Sequence, residues 1–306
     1  MAGISRAQLL KELLPGLNAL FGLEYDKYVD EHMEIYAQET SERSFEEETK
    51  LSGFDAAPVK PEGQAIAYDT AQESFTQRYD HETIAMGYSF TEEAMEDNLY
   101  DSLSTRYTKA LARAMSYTKQ VKSMVPFNNG FTATTGYLSG DGDPLFSTSH
   151  SIVNGADLSN RPSTATDLNE TSIEDAAIKI SNWTDERGLL IAAVPTKLVI
   201  PTNLQFIATR LLKSEFQTKT ANNDISAIVH NSTVRDGYCI NHYLTDTNAW
   251  FLLTDVPNGF KMFNRVPLST SMDGDFDTGN VRYKARERYS FGISDYLGGY
   301  GSPGSS

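Results

Sequence analysis

Three groupings in this 306-residue chain carry side chains that could do chemistry. The first is His150, in a Ser/Thr-rich stretch shortly after Asp141 and Asp143. An acid that orients an imidazole beside a hydroxyl can activate a nucleophile. No strand-to-helix nucleophile elbow accompanies it. An acidic soluble enzyme using His150 with Asp141 or Asp143 is therefore an alternative only, and a loop or interface hydrogen bond is the plainer reading. The second grouping, Asp273-Gly-Asp-Phe-Asp277, alternates carboxylates as calcium loops do. Such loops need glycine at the sixth position and a bidentate glutamate at the twelfth; Thr278 and Lys284 stand there. An acidic turn answering nearby arginines is expected instead. The third is Cys239, between Tyr238 and Ile240 in an apolar stretch, where a small core residue is the default. One thiol excludes a disulfide framework and a thiolate metal cluster. The other histidines, at 32, 81, 230 and 242, never pair at metal-ligand spacing. The expectation is no catalytic residue, no cofactor and no metal.

Charge is the more informative feature. Acids outnumber bases 41 to 26, a formal net charge of −15. Such a surface repels phosphates, so nucleic acid is expected as a weak, nonspecific contact at most. It also opposes the packing of many copies, so polymerisation would need a specific attraction. A source is visible near the C-terminus, where Arg282, Lys284, Arg286 and Arg288 alternate with Val281, Tyr283, Ala285 and then Tyr289. A strand with that alternation shows one basic face. The matching acids crowd the first fifty residues, at Glu31, Glu34, Glu39, Glu42, Glu46, Glu47 and Glu48. The basic face could pair within its own chain, with nucleic acid, or with the acidic segment of an adjacent copy. No apolar run reaches the ~20 residues of a membrane span.

Several elements must position these groups. Leu9, Leu13, Leu17, Leu20 and Phe21 recur at helical spacing, interrupted by Pro15-Gly16. Residues 1–50 lack the bulk for a separate core and read as an arm that finds its burial elsewhere. Gly53, Pro58, Pro61 and Gly63 mark a projecting loop. The strand after it changes phase near Glu82-Thr83, which predicts a bulge or twist. Met95, Leu99, Leu103, Tyr107, Ala110, Ala114, Thr118, Val121 and Val125 define one face of a long helix over 91–125, ended by Pro126. A polar loop fills 127–170. A second helix, capped by Ser172, is expected to run to Arg187, then a buried strand at 196–201, a third helix from Leu204 to Leu212, and strands at 238–240, 250–253 and 260–263.

This order resembles the Hong Kong 97-type capsid fold of tailed bacteriophages, an α+β architecture, across nearly the whole chain. Local wording is similar to the Mu-like major head subunit group. Pro144-Leu-Phe-Ser-Thr-Ser-His150, Asn160-Arg161-Pro162, Gly188-Leu-Leu-Ile-Ala-Ala-Val-Pro195 and Trp250-Phe-Leu-Leu-Thr-Asp255 carry that likeness. The resemblance implies an N-terminal arm at 1–50, an extended loop at 51–88 and a peripheral domain at 89–188. An axial domain at 189–268 and a return strand and tail at 269–306 complete it. It implies a major capsid protein, no enzyme, whose copies form the hexamers and pentamers of an icosahedral shell around double-stranded DNA. That shell is assembled in the bacterial cytoplasm. A separate scaffolding protein, a portal and a decoration protein are the implied partners, and an encapsulin-like nanocompartment shell is the alternative within the fold. Glu46, Glu47, Glu48, Phe54, Lys60, Arg282, Lys284, Arg286 and Arg288 are the candidate intersubunit contacts. Removing residues 1–45 is expected to leave a soluble subunit that cannot close shells.

Overall fold

The computed structural model of the protein describes residues 6–91, 93, 100–133, 138–152, 155–216, 224–274 and 279–305. The described helices are α1 (Arg6–Tyr25), α2 (Tyr100–Asn128), α3 (Glu170–Ser181), α4 (Gln205–Lys213) and α5 (Ala227–His230). The strands are β1 (Ala37–Thr40), β2 (Phe45–Leu51), β3 (Glu73–Asp80), β4 (Glu82–Phe90), β5 (Pro195–Pro201), β6 (Tyr238–Asn241), β7 (Trp250–Thr254), β8 (Phe260–Gly274), β9 (Val281–Ile293) and β10 (Gly299–Ser302).

The alternation of β9 organises one half of the molecule. Val281, Tyr283, Ala285 and Tyr289 point inward, while Arg282, Lys284 and Arg286 are exposed. Strand β9 is central in a sheet ordered β1-β8-β9-β4, in which β1 runs parallel to β8 and the other pairings are antiparallel. Helix α2, roughly 44 Å long at 1.5 Å per residue, lies across the inward face, and α1 lies against both. Leu17 and Phe21 of α1 are buried with Leu111, Ala112 and Met115 of α2 and Tyr283 and Ala285 of β9. A second sheet, β10-β7-β5-β6, holds a separate core built on Trp183, Leu198, Ile200, Trp250 and Leu252, covered by α3 and α4. A third cluster with Phe127, Phe146, Phe251, Phe260 and Tyr36 joins the two sheets.

Several expectations need correction. Residues 6–40 are anchored in part on their own chain: Leu17, Phe21, Ile35 and Tyr36 are buried there, whereas Leu23, Val29 and Met33 stay exposed, and β1 is a sheet strand. Removing residues 1–45 would therefore open a core and not merely trim an arm. The helical face is also rotated. Tyr107 is exposed, and the buried stripe runs through Ser104, Thr108, Leu111, Met115, Gln120, Met124 and Phe127. Small polar residues lie on it because each finds a partner: Tyr88 hydrogen-bonds Thr108 Oγ1 at 2.6 Å, and Ser123 Oγ donates to the Gln120 carbonyl. Met95 and Leu99 lie outside the described residues. The helix passes through Pro126 to Asn128, which its last turn tolerates. No bulge occurs at Glu82-Thr83. The chain instead leaves the β2-β3 hairpin at His81 and enters the β9 sheet, with His81 ring nitrogens 2.9 Å from Ser290 and Ser41 hydroxyls. Finally, α3 is capped by Asn169, with Ser172 closing the capping box at N3, and it stops at Ser181.

Candidate assembly interface

The antiparallel hairpin β2-β3 projects a loop between Ser52 and Gln72, whose ends are tied by the Ser52 N–H to the Gln72 carbonyl. Beyond that tie, every residue from 54 to 72 is exposed. Phe54, Val59 (94% exposed), Ile66 and Tyr68 (89%) are open to solvent. Little within the chain holds the loop. Asp55 N–H donates to Asp69 Oδ2 at 2.8 Å, and Arg187 reaches the Thr70 carbonyl at 2.6 Å and Asp55 at 3.5 Å. Lys60 lies in this exposed stretch.

The stem of the hairpin is the opposite case. Glu48 takes bonds from Lys261 Nζ and Ser294 Oγ, and Tyr79 Oη donates to Ser294. Lys261 also reaches Glu39 at 3.1 Å. Lys50 stands 3.0 Å from Asp295 and 3.3 Å from Glu186. Glu46 accepts from Ser41 Oγ at 2.7 Å, and Glu47 pairs with Arg78 at 3.7 Å. The carboxylates at 46, 47 and 48 thus have partners within the chain. Lys50, Glu186, Lys261, Tyr79, Ser294 and Asp295 were not legible as a group, because partners as distant as 50 and 295 leave no spacing signal.

The exposed face of β9 carries the basic stripe. Lys284 faces Gly87 and Ser271 across the strands, and Arg286 faces Ala85 and Ser269. A Cβ at Gly87 would stand 2.7 Å from the Tyr283 carbonyl, so this border is held flat. Among the described residues, neither Lys284 nor Arg286 has a carboxylate within ion-pair distance. Arg282 lies opposite Ser89 and Asp273. Arg288 differs, donating to the His81 and Ser44 carbonyls. Most of the 273–277 turn lies outside the described residues.

His150 does not sit in a reactive cleft. It is fully buried and stacked on the Tyr296 ring at 4.0 Å. Nδ1 contacts Asp141 at 2.6 Å, and Nε2 faces Asn160 Oδ1 at 3.1 Å. Asn160 Nδ2 in turn donates to the Leu145, Tyr296 and Gly299 carbonyls. Asp141, Asp143 and His150 bring ligand-type atoms within 4.8 Å of one another, yet both ring nitrogens are already engaged. The group packs as a structural joint, in keeping with the plainer expectation of a loop hydrogen bond for His150. Cys239 is buried, and burial pushes its thiol up to about 12, far from a reactive thiolate. Among the described residues no helix is long and apolar enough to cross a membrane.

The fold as a whole is similar to that of solved particle shells. A virus-like particle from Pyrococcus furiosus is similar at 11% identity and a TM-score of 0.52, over 95% of this chain and 99% of that one. The capsid of Myoviridae phage XM1 is similar at 14% identity and 0.52, over 89% of each chain. The capsid of the native GTA particle gives 14% and 0.52, over 89% and 90%. At such identities the likeness establishes the fold, an α+β capsid fold of the Hong Kong 97 type. No curated protein matches the chain. The model of the family described as "Phage capsid protein" matches residues 73–302. The chain belongs to that family. It is a major capsid protein of the bacteriophage head, a structural component of the virion.

Proposed function

We propose that copies of this chain join as hexamers and pentamers and close an icosahedral shell around phage double-stranded DNA, without turning over any substrate. The observation that carries this reading is the exposed loop 54–72, whose Phe54, Val59, Ile66 and Tyr68 are each more than half exposed among the described residues. Apolar surface of that extent is relieved by burial against a partner, and shell subunits gain much of their stability that way. We assign residues 51–88 to the extended loop, 89–188 and 269–306 to a peripheral domain, and 189–268 to an axial domain facing capsomer centres. The segment 1–50 is the arm, held on its own body at least through β1. The wording of residues 144–162 and 188–201 supports a place in the Mu-like major head subunit group.

The stripe of Lys284 and Arg286, with Arg282 beside it, supports an interface role, because charge complementarity would offset the repulsion between acidic copies. Phe54 and Lys60 would meet a neighbour through the loop. Glu46, Glu47, Glu48 and Arg288 serve inside the chain first. Scaffolding, portal and decoration proteins are proposed partners on family grounds alone, with assembly in the host cytoplasm. Negative-stain microscopy of the purified chain tests the reading: closed shells or capsomers are expected, and a protein that stays monomeric at all concentrations would sink it. Nucleic-acid content separates a phage head from an encapsulin-like shell, the weaker alternative given the family match.

A further inference from the structure

The sequence holds three Asn-Gly dipeptides, at 129–130, 154–155 and 258–259. Glycine leaves the backbone nitrogen after an asparagine unshielded and its peptide unit mobile, so at such a pair the side chain is open to attack by its own main chain. Asn154 lies outside the described residues. The other two are both followed by phenylalanine, yet their surroundings differ. Asn129 follows α2 and is half-buried; its N–H and its Nδ2 both donate to the Val125 carbonyl at 3.1 Å, and its carbonyl accepts the Thr132 N–H. Gly130 is buried, and its N–H donates to the Phe127 carbonyl at 3.2 Å. Asn258 instead stands exposed in the turn Val256-Pro257-Asn258-Gly259 between β7 and β8, with φ at +61°. Pro257 sets the first corner of that turn, and the asparagine takes the left-handed second one. Among the described residues, neither the Asn258 carbonyl nor the Gly259 N–H has a hydrogen-bond partner, so the peptide unit between them is free to rotate.

We propose that Asn258 is a site of spontaneous modification, deamidated through a cyclic imide formed with Gly259. The Gly259 nitrogen gives its proton to solvent base and bonds to Asn258 Cγ, an attack within one turn. The side-chain amide takes up a proton and leaves as ammonia. Water then opens the five-membered imide. Breaking the new Cγ–N bond yields aspartate; breaking the original C–N bond yields isoaspartate, whose main chain runs through Cβ and Cγ and is one atom longer. Each event consumes one water, releases one ammonia and adds one negative charge to a chain already at −15. No enzyme, oxidant or cofactor enters. The turn has no slack for a longer main chain. The Gly259 carbonyl accepts the Ser294 N–H at 3.1 Å, and a Cβ at Gly259 would stand 3.1 Å from Gly298 Cα. Because this turn carries the chain from one sheet into the other, isoaspartate there loosens the joint between them. The chemistry needs a single chain, so it stands or falls apart from the assembly reading.

Peptide mapping of the full-length folded chain, aged in warm, mildly alkaline buffer, is the test. Trypsin releases residues 236–261 as one peptide that holds Asn258 and no other Asn-Gly pair. That peptide is expected to gain about 1 Da and to become a substrate for an isoaspartate-specific methyltransferase. Asn258 should convert at least about tenfold faster than Asn129, which must first give up its hydrogen bonds. In denaturant the two rates should converge. Asn258→Gly, which suits the left-handed corner, should leave the circular dichroism spectrum unchanged and abolish the gain in that peptide. A peptide 236–261 that keeps its mass in the folded chain while the denatured chain converts overturns the proposal. So do equal rates at Asn129 and Asn258 in the folded chain, a rate difference that persists unchanged in denaturant, or a gain that survives in Asn258→Gly.

Discussion

Helix α1 and the loop 54–72 both lie at the edges of the subunit, and both are rich in large apolar residues, yet they meet opposite fates. Leu17 and Phe21 of α1 disappear into a core shared with α2 and β9, whereas Val59 and Tyr68 of the loop stand almost fully in solvent. The difference lies in spacing. Helical recurrence gathers apolar side chains onto one face that a single neighbouring helix can cover. Gly53, Pro58, Pro61 and Gly63 prevent the loop from gathering its own, so no element of the same chain can cover them all. An amphipathic extremity is an internal part; an interrupted apolar one is left for a partner.

The contrast should be sharpest in stability. Phe21→Ala removes a buried ring and is expected to cost about 3–5 kcal/mol, read from denaturant midpoints, while Tyr68→Ala should stay within about 0.5 kcal/mol. In shell yield the ranking reverses, with the tyrosine variant losing particles while its subunit remains folded. Equal destabilisation by both variants would erase the distinction. The stem is expected to fall between them. Lys261→Met leaves Glu39 and Glu48 without their shared cation, and the loss should be about 1–3 kcal/mol because both acids retain some solvent.

A smaller effect tests burial at β9. Burial raises the carboxyl of Glu287 above its ordinary 4.5, and the Lys119 ammonium only partly opposes this. The folded chain therefore binds the proton more tightly than the unfolded chain, and stability from this site falls as pH rises from about 4.5 through the raised value. Glu287→Gln should stabilise the subunit at pH 7, and the gain should vanish below pH about 4. A gain that grows toward acid pH would reverse the sign. The least change in subunit stability, under about 0.5 kcal/mol, is expected from Lys284→Glu with Arg286→Glu. Sedimentation should nevertheless show fewer full-sized particles, and ordinary yields would remove the stripe from the interface.

Much of the architecture was readable where one rule dominated. The alternation of β9 gave its basic and apolar faces, and the run Leu198-Val199-Ile200 gave a buried strand. The reading failed where partners were distant. The buried face of α2 was misjudged because hydroxyls such as Thr108 are matched by Tyr88, a residue that no helical periodicity reveals. A hydrogen-bonding role for His150 was readable because its acid stood nearby in sequence, whereas Asn160 and Tyr296, which occupy its other nitrogen and its ring face, were not recognisable as neighbours. The polar contacts of the hairpin stem, such as Lys50 with Asp295, were invisible for the same reason.

The pairing of β1 with β8 has a consequence for the nascent polypeptide. Ala37 takes its place beside Lys261, so β1 completes its hydrogen bonds only after the more than two hundred residues between the two strands have been synthesised. Closing so long a stretch is entropically slow. Until then residues 37–40 lack the strand that satisfies their backbone.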